Sequence, residues 1–96
     1  MHDKVKTSSA EELFRAILTL QTVEECADFF ADLCTVQELR SMSQRYQVAV
    51  MLKEKKVYSE IVKATGASTA TISRVNRSLA YGNDGYDMVL SRLKDQ

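Results

Sequence analysis

Residues 58–79 read YSEIVKATGASTATISRVNRSL. The spacing of apolar residues predicts a short helix over about 58–65, which Gly66 ends because glycine adopts a positive φ without steric cost. Ser68 is then predicted to cap a second helix over about 69–80. Two helices joined by a tight, glycine-containing turn form a helix-turn-helix.

This motif separates inward from outward side chains. Ile61, Ala67, Ile72 and Val75 can fill the angle between the two helices. The outward side chains are short hydroxyl and methyl groups followed by guanidinium groups, which suits a helix that enters the major groove and contacts base edges and phosphates. An ordinary corner between two helices is the alternative interpretation. The predicted DNA-binding residues are Lys63, Ser68, Thr69, Ala70, Thr71, Ser73, Arg74 and Arg77.

The charges are unevenly distributed, although the net charge is zero. Residues 1–39 hold eight acids and three bases (−5), residues 40–79 eight bases and two acids (+6), and residues 80–96 three acids and two bases (−1). This polarity predicts that the basic middle of the chain faces a polyanion. A mixed, solvated surface is the alternative interpretation of the charges alone.

Composition favours one all-helical domain. The chain has 96 residues, of which 45% are hydrophobic, with no proline and three glycines. All-β folds need frequent turns and are largely excluded. The sequence has no apolar run long enough to span a membrane and no signal-peptide pattern at its start.

Three upstream helix starts share one capping pattern. Ser9, Thr22 and Thr35 each precede a glutamate by three residues, which is the spacing of a capping box. The pattern predicts helices over about 10–21 and 23–34, and a third that runs from after Thr35 to about Glu54.

The third predicted helix contains a run that is apolar on every side, Val48-Ala-Val-Met-Leu52. Such a run predicts a central helix packed on more than one side. Because a 96-residue chain has little mass to surround it, we expect a subunit interface there. A monomer that wraps this helix is the alternative.

Downstream, Asp84 is predicted to cap a last helix over about 85–94.

The string Ala70-Thr-Ile-Ser-Arg74, in this context, resembles the recognition helix of the Trp repressor superfamily, and within it the YerC/YecD-type Trp-repressor-like proteins. The resemblance covers about residues 33–79, and the flanking helices by their order. Further matching positions are Thr35, Glu38, Arg45, Glu60, Gly66, Ala67, Asn76, Ser78 and Leu79.

The resemblance implies an all-α, six-helix fold in one domain, residues 1–96, that forms an intertwined homodimer. About 9–54 and 84–94 would be dimerisation helices, and about 57–80 the helix-turn-helix. The implied function is a sequence-specific transcriptional regulator, of the repressor kind, that binds double-stranded DNA through the major groove. A protein-interaction module that keeps this fold without binding DNA is the alternative.

The resemblance also points to a small-effector pocket. In tryptophan-binding members two arginines sandwich the indole, and a threonine and a serine help to hold the amino group. Val75 stands where those members have a glycine against which the ligand lies, so it argues against L-tryptophan or another small effector as a cofactor. Phosphate binding is the alternative role of the two arginines. The residues at the four pocket positions are Thr35, Arg45, Arg74 and Ser78.

Other kinds of site find little support in the sequence. Cys26 and Cys34 would lie about 12 Å apart on one helix, too far for a disulfide. Reduced thiols and the missing export signal predict a cytoplasmic protein. The single histidine, His2, is expected to be a disordered terminal residue rather than a metal ligand, and no metal site is predicted. No catalytic set of side chains is recognisable, so we expect no enzyme.

Overall fold

The computed structural model describes residues 8–96, and every regular element in this part of the chain is an α-helix. The chain divides into two compact units, one that ends at Leu39 and one that begins at Arg40. His2 lies outside the described residues. In chain order the helices are α1 (Ser8–Ile17), α2 (Val23–Leu33), α3 (Val36–Lys53), α4 (Tyr58–Thr65), α5 (Thr69–Tyr81) and α6 (Gly85–Lys94).

Capping bonds in the first unit explain where α2 and α3 begin. The Thr22 hydroxyl accepts a hydrogen bond from the Glu25 amide at 3.0 Å. Before α3, the Thr35 hydroxyl accepts from the Glu38 amide at 3.1 Å, and the Glu38 carboxylate accepts from the Thr35 amide at 2.8 Å. Because these bonds satisfy amides that lack helical partners, they fix both helix starts. The predicted caps at Thr22 and Thr35 are confirmed.

Helix α1 differs from its prediction at both ends. The sequence predicted a helix over 10–21 with Ser9 as its cap, whereas α1 begins at Ser8 and ends at Ile17. Ser9 therefore lies inside the first turn, and its predicted capping position is wrong. Near the other end, the Thr19 hydroxyl donates to the carbonyl three residues earlier at 2.7 Å. Such a local side-chain bond competes with continuation of the helix.

The second unit contains a small apolar core, made by residues of α3, α4, α5 and the turn between the last two. Val48 and Ala49 of α3 are completely buried, and Val50, Met51 and Leu52 are half-buried. The apolar run in α3 is thus a central element of this unit, as predicted. The buried cluster consists of Val48, Ala49, Ile61, Ala67, Ile72 and Val75.

Helix α6 contacts α3 and the core of the second unit. The Lys53 ammonium lies 2.9 Å from the Asp87 carboxylate, and Tyr86 packs against the buried cluster. Asp84 precedes α6 as predicted, but its side chain makes no capping hydrogen bond. Its φ of 61° is left-handed, whereas side-chain capping requires an extended backbone, so the predicted capping bond of Asp84 is wrong.

The described part of the chain shows neither a membrane-spanning helix nor a cluster of metal ligands. No helix within residues 8–96 has the length and apolar character needed to cross a membrane. Within the same residues, no three His, Cys, Asp or Glu side chains come together as metal ligands.

Candidate nucleic-acid interface

The helix-turn-helix is held together by the inward side chains that the sequence predicts. Gly66 ends α4 with a φ of 74°, and its amide donates to the Val62 carbonyl at 2.8 Å. The left-handed backbone at this position favours glycine. The four inward residues are at most 2% exposed, which confirms their predicted packing: Ile61, Ala67, Ile72 and Val75.

Helix α5 presents most of the predicted contact residues to solvent. Of the eight predicted DNA-binding residues, Thr71 is half-buried and the other seven are exposed. Hydroxyl and methyl groups lie at the start of α5, and two guanidinium groups follow in its later turns. This order allows close approach to base edges at one end and phosphate contact further along. The seven exposed residues are Lys63, Ser68, Thr69, Ala70, Ser73, Arg74 and Arg77.

Ser68 organises the first turn of α5. Its backbone is extended (φ −72°, ψ 159°), and its hydroxyl accepts from the Thr71 amide at 3.1 Å, as predicted for a cap. The same hydroxyl donates to the Thr71 Oγ1 at 3.1 Å. A hydroxyl that accepts in this way still has its own hydrogen to donate. Thr71 is therefore held in one orientation, and its own hydroxyl hydrogen is still able to donate.

The first turn of α5 carries no acidic residue. Each of the other five described helices has at least one aspartate or glutamate in its first turn. An acidic side chain there neutralises the positive end of the helix dipole. The amino end of α5 thus keeps its positive potential, which favours a phosphate group. The sequence predicts a positive dipole toward phosphate at the start of this helix, and the absence of acids from residues 69–72 agrees with it.

The structure places the residues of the predicted effector pocket in different surroundings. Ser78 lines an open hollow of about 550 Å³ with Tyr46, Tyr86 and neighbouring residues of α6, and neither Arg45 nor Arg74 lines it. Arg45 is half-buried and Arg74 exposed.

Two further observations bear on the effector. The Thr35 hydroxyl belongs to the first unit, where it caps α3. The Val75 side chain is 2% exposed and forms part of the apolar core.

Sequence reasoning missed Gln44. Its side-chain amide donates to the Thr65 carbonyl at 3.1 Å and so joins α3 to the end of α4. Gln44 lies one helical turn before Val48 and therefore on the same face of α3. A polar residue on a core-facing row is the signal that could have identified it, because such a residue needs a hydrogen-bond partner.

These features define an all-α protein with a helix-turn-helix, in which the second helix of the motif, α5, has one face exposed to solvent. The chain belongs to the Trp repressor family: the sequence model of the family described as Trp repressor protein matches residues 8–94. The predicted family and the six-helix, Trp-repressor-like fold are thereby confirmed.

Individual relatives agree with this assignment. The chain is 53% identical over 93 residues to the uncharacterized protein YerC of Bacillus subtilis, covering 97% of this chain and 89% of the relative. A solved structure of a TrpR-like protein from Eubacterium eligens is 59% identical, with a TM-score of 0.92 over 96% of this chain and 95% of that one. A candidate Trp repressor from Staphylococcus aureus is 53% identical, with a TM-score of 0.93 over 100% and 96% of the two chains.

Proposed function

We propose that this protein is a sequence-specific DNA-binding transcriptional regulator, of the repressor kind, that reads the major groove with α5. The observation that carries the proposal is the division of α5 into two faces. Ile72 and Val75 are buried in the core, while hydroxyl, methyl and guanidinium groups face solvent. A helix with this division can enter the major groove without disturbing its own packing.

Electrostatics support the same role. Residues 40–79 carry a net charge of +6, and the exposed Lys63, Arg74 and Arg77 lie on or beside the two helices of the motif. Lysine and arginine side chains that neutralise phosphates release counterions and make affinity depend on salt. We therefore assign Lys63 and Arg77 to phosphates, and Thr69, Ala70, Thr71 and Ser73 to base edges. Ser68 and Arg74 belong to the same contact surface.

We also propose that the active form is an intertwined homodimer. In the first unit no residue from Ser9 to Leu39 is buried, and six large apolar side chains there are exposed. On α6, the apolar side chains of Met88, Val89 and Leu93 are also exposed. Exposed apolar surface of this extent is typical of an interface, and a second copy of the chain would cover it. The six residues of the first unit are Phe14, Leu18, Val23, Leu33, Val36 and Leu39.

A dimer gives the regulator its geometry on DNA. Two copies related by a two-fold axis would place their α5 helices in successive major grooves, about 34 Å apart. The operator would then be palindromic. In this arrangement the acidic residues 1–39 form the dimer body, and the basic residues 40–79 face the DNA.

We propose, further, that DNA binding needs no L-tryptophan. The support comes from Val75, whose buried side chain already fills the core beside α5. The pocket residues Arg45 and Arg74 are then available for phosphate. The proposal is for a binding protein, and no step of bond-making chemistry is part of it.

A protein-interaction module remains the alternative function, and α5 gives it less support. Tyr81 is the exposed large hydrophobic residue of α5, and it lies at the very end of the helix. Protein interfaces are usually centred on buried apolar or aromatic anchors, which the outward face of α5 lacks.

The proposal is tested by selecting bound duplexes from a random DNA pool with the purified full chain at roughly 50 mM salt. We expect a palindromic consensus, and a Kd that rises steeply with salt concentration. The proposal fails if no duplex is enriched. It fails in favour of the alternative if the protein co-purifies with a protein partner whose affinity is insensitive to salt.

A further inference from the structure

We propose that Gln44 is a positioning residue for DNA reading, whose side-chain amide sets the direction of α5 by holding the turn that precedes it. This inference rests on the proposed function. The observation is the hydrogen bond from Gln44 Nε2 to the Thr65 carbonyl at 3.1 Å, between half-buried residues 21 positions apart. It joins α3 to the last residue of α4.

Local bonds already fix the shape of the turn itself. The Thr65 hydroxyl donates to the Ile61 carbonyl at 2.7 Å and accepts from the Ala67 amide at 3.1 Å. Gly66 adds the left-handed backbone that reverses the chain. All of these features lie within α4 and the turn, so they do not fix how the motif is oriented on α3.

Apolar packing also holds the motif against α3. Val48 of α3 shares one buried cluster with Ile61 and Ile72 of the motif. Hydrophobic burial depends on area and is not directional. A hydrogen bond weakens steeply when its angle changes, so the Gln44 bond adds a directional restraint on the motif to the packing of the core.

Orientation matters more for bases than for phosphates. Base readout requires that side chains of α5 meet particular donors and acceptors, whereas phosphate contacts carry no sequence information. Loss of the Gln44 bond is therefore expected to weaken binding to the preferred duplex and to leave binding to unrelated DNA unchanged. A residue that only stabilised the fold would affect both duplexes by the same factor, through the fraction of folded protein.

The test compares the wild type with Gln44→Met, which keeps the length of the side chain and removes its donor. Gln47→Met is the matched control, because Gln47 is exposed on the same helix. Fluorescence anisotropy gives the Kd for the preferred duplex and for a scrambled duplex of equal length. We expect Gln44→Met to lower the ratio of the two affinities by about three- to tenfold, the range of one net hydrogen bond. Gln47→Met is expected to leave the ratio unchanged.

A second variant keeps the test decisive if Gln44→Met folds poorly. Gln44→Glu places an acceptor opposite the Thr65 carbonyl and is expected to lower the ratio at least as much. The inference is overturned if both variants keep the wild-type ratio of affinities. This includes the case in which they weaken binding to both duplexes by the same factor. A wild-type protein that prefers no duplex would refute the proposed function, and this inference with it, before any variant is compared.

Discussion

The Ser68 hydroxyl makes two hydrogen bonds to Thr71, accepting from its backbone amide and donating to its hydroxyl, each at 3.1 Å. One side chain therefore caps α5 and also orients a hydroxyl that we assign to a base edge. Under the proposed function, helix stability and DNA reading would depend on the same residue at the start of this helix.

Ser68→Ala is expected to lower the free energy of unfolding by about 1 kcal/mol, because the Thr71 amide loses its capping acceptor. Urea denaturation followed by circular dichroism measures this change. Ser68→Asn is the matched control and should retain most of the stability, since asparagine also caps helices. If Ser68→Ala were as stable as the wild type, the cap would contribute nothing.

Gly66→Ala is expected to destabilise the protein by roughly 1 kcal/mol, because a left-handed φ strains any residue with a Cβ. An added Cβ would have ordinary space, since the nearest atom is Gln44 Nε2 at 4.0 Å, so the cost comes from the backbone. Gly85→Ala is the control: an added Cβ meets nothing within 4 Å, and no positive φ is involved. Equal stability of the two variants in urea would refute this explanation of the turn.

Thr71→Ala and Arg77→Ala are expected to affect DNA binding in different ways. Thr71→Ala should cost about 1 kcal/mol of discrimination between preferred and scrambled duplexes, because a base contact is lost. Arg77→Ala should weaken both duplexes alike and reduce the slope of log affinity against log salt by about 0.9, because one phosphate contact is lost. Anisotropy titrations at several salt concentrations measure both effects.

The control for this pair is Arg92→Ala, which removes a guanidinium group from α6, outside the helix-turn-helix. We expect its salt slope and its discrimination to equal those of the wild type. The assignment of roles would be wrong if Thr71→Ala lowered both affinities equally, or if Arg77→Ala changed sequence preference.

L-tryptophan is expected to produce no saturating heat in isothermal titration up to about 1 mM, a concentration that would detect binding stronger than roughly −4 kcal/mol. The reason is Val75, whose branched side chain is buried in the core and which, by the resemblance, stands where tryptophan-binding members have a glycine. The Kd for the preferred duplex should also be the same with and without the amino acid. Saturation below this concentration would show that the core opens to admit a ligand.

Much of the helix-turn-helix could be predicted from the sequence because local chemistry determines it. Gly66, Ser68 and the apolar spacing of 61, 67, 72 and 75 fix the turn, the cap and the buried face, and the structure agrees with each of them. The bounds of α4 also agree with prediction, since a glycine ends it and the apolar pattern is short.

The sequence-based predictions were wrong or incomplete where the outcome depends on the backbone conformation or on a hydrogen bond to a distant residue. Ser9 matches a capping pattern, yet α1 begins before it. Asp84 is a residue type that caps helices, but its left-handed φ prevents the bond. Gln44 has no motif, because its partner Thr65 is distant in sequence and becomes a neighbour through packing. A capping pattern is read from four neighbouring residues. The start of α1, the backbone of Asp84 and the bond of Gln44 depend on parts of the chain outside such a window.

The central claim is that α5 reads base edges in the major groove, and methylation interference tests it most directly. Dimethyl sulfate methylates guanine N7, an acceptor exposed in the major groove, and adenine N3 in the minor groove. The account predicts that methylated guanines in two clusters, about 10 base pairs apart, abolish binding to the selected duplex. Interference that is absent at every guanine, or confined to adenines, would contradict it.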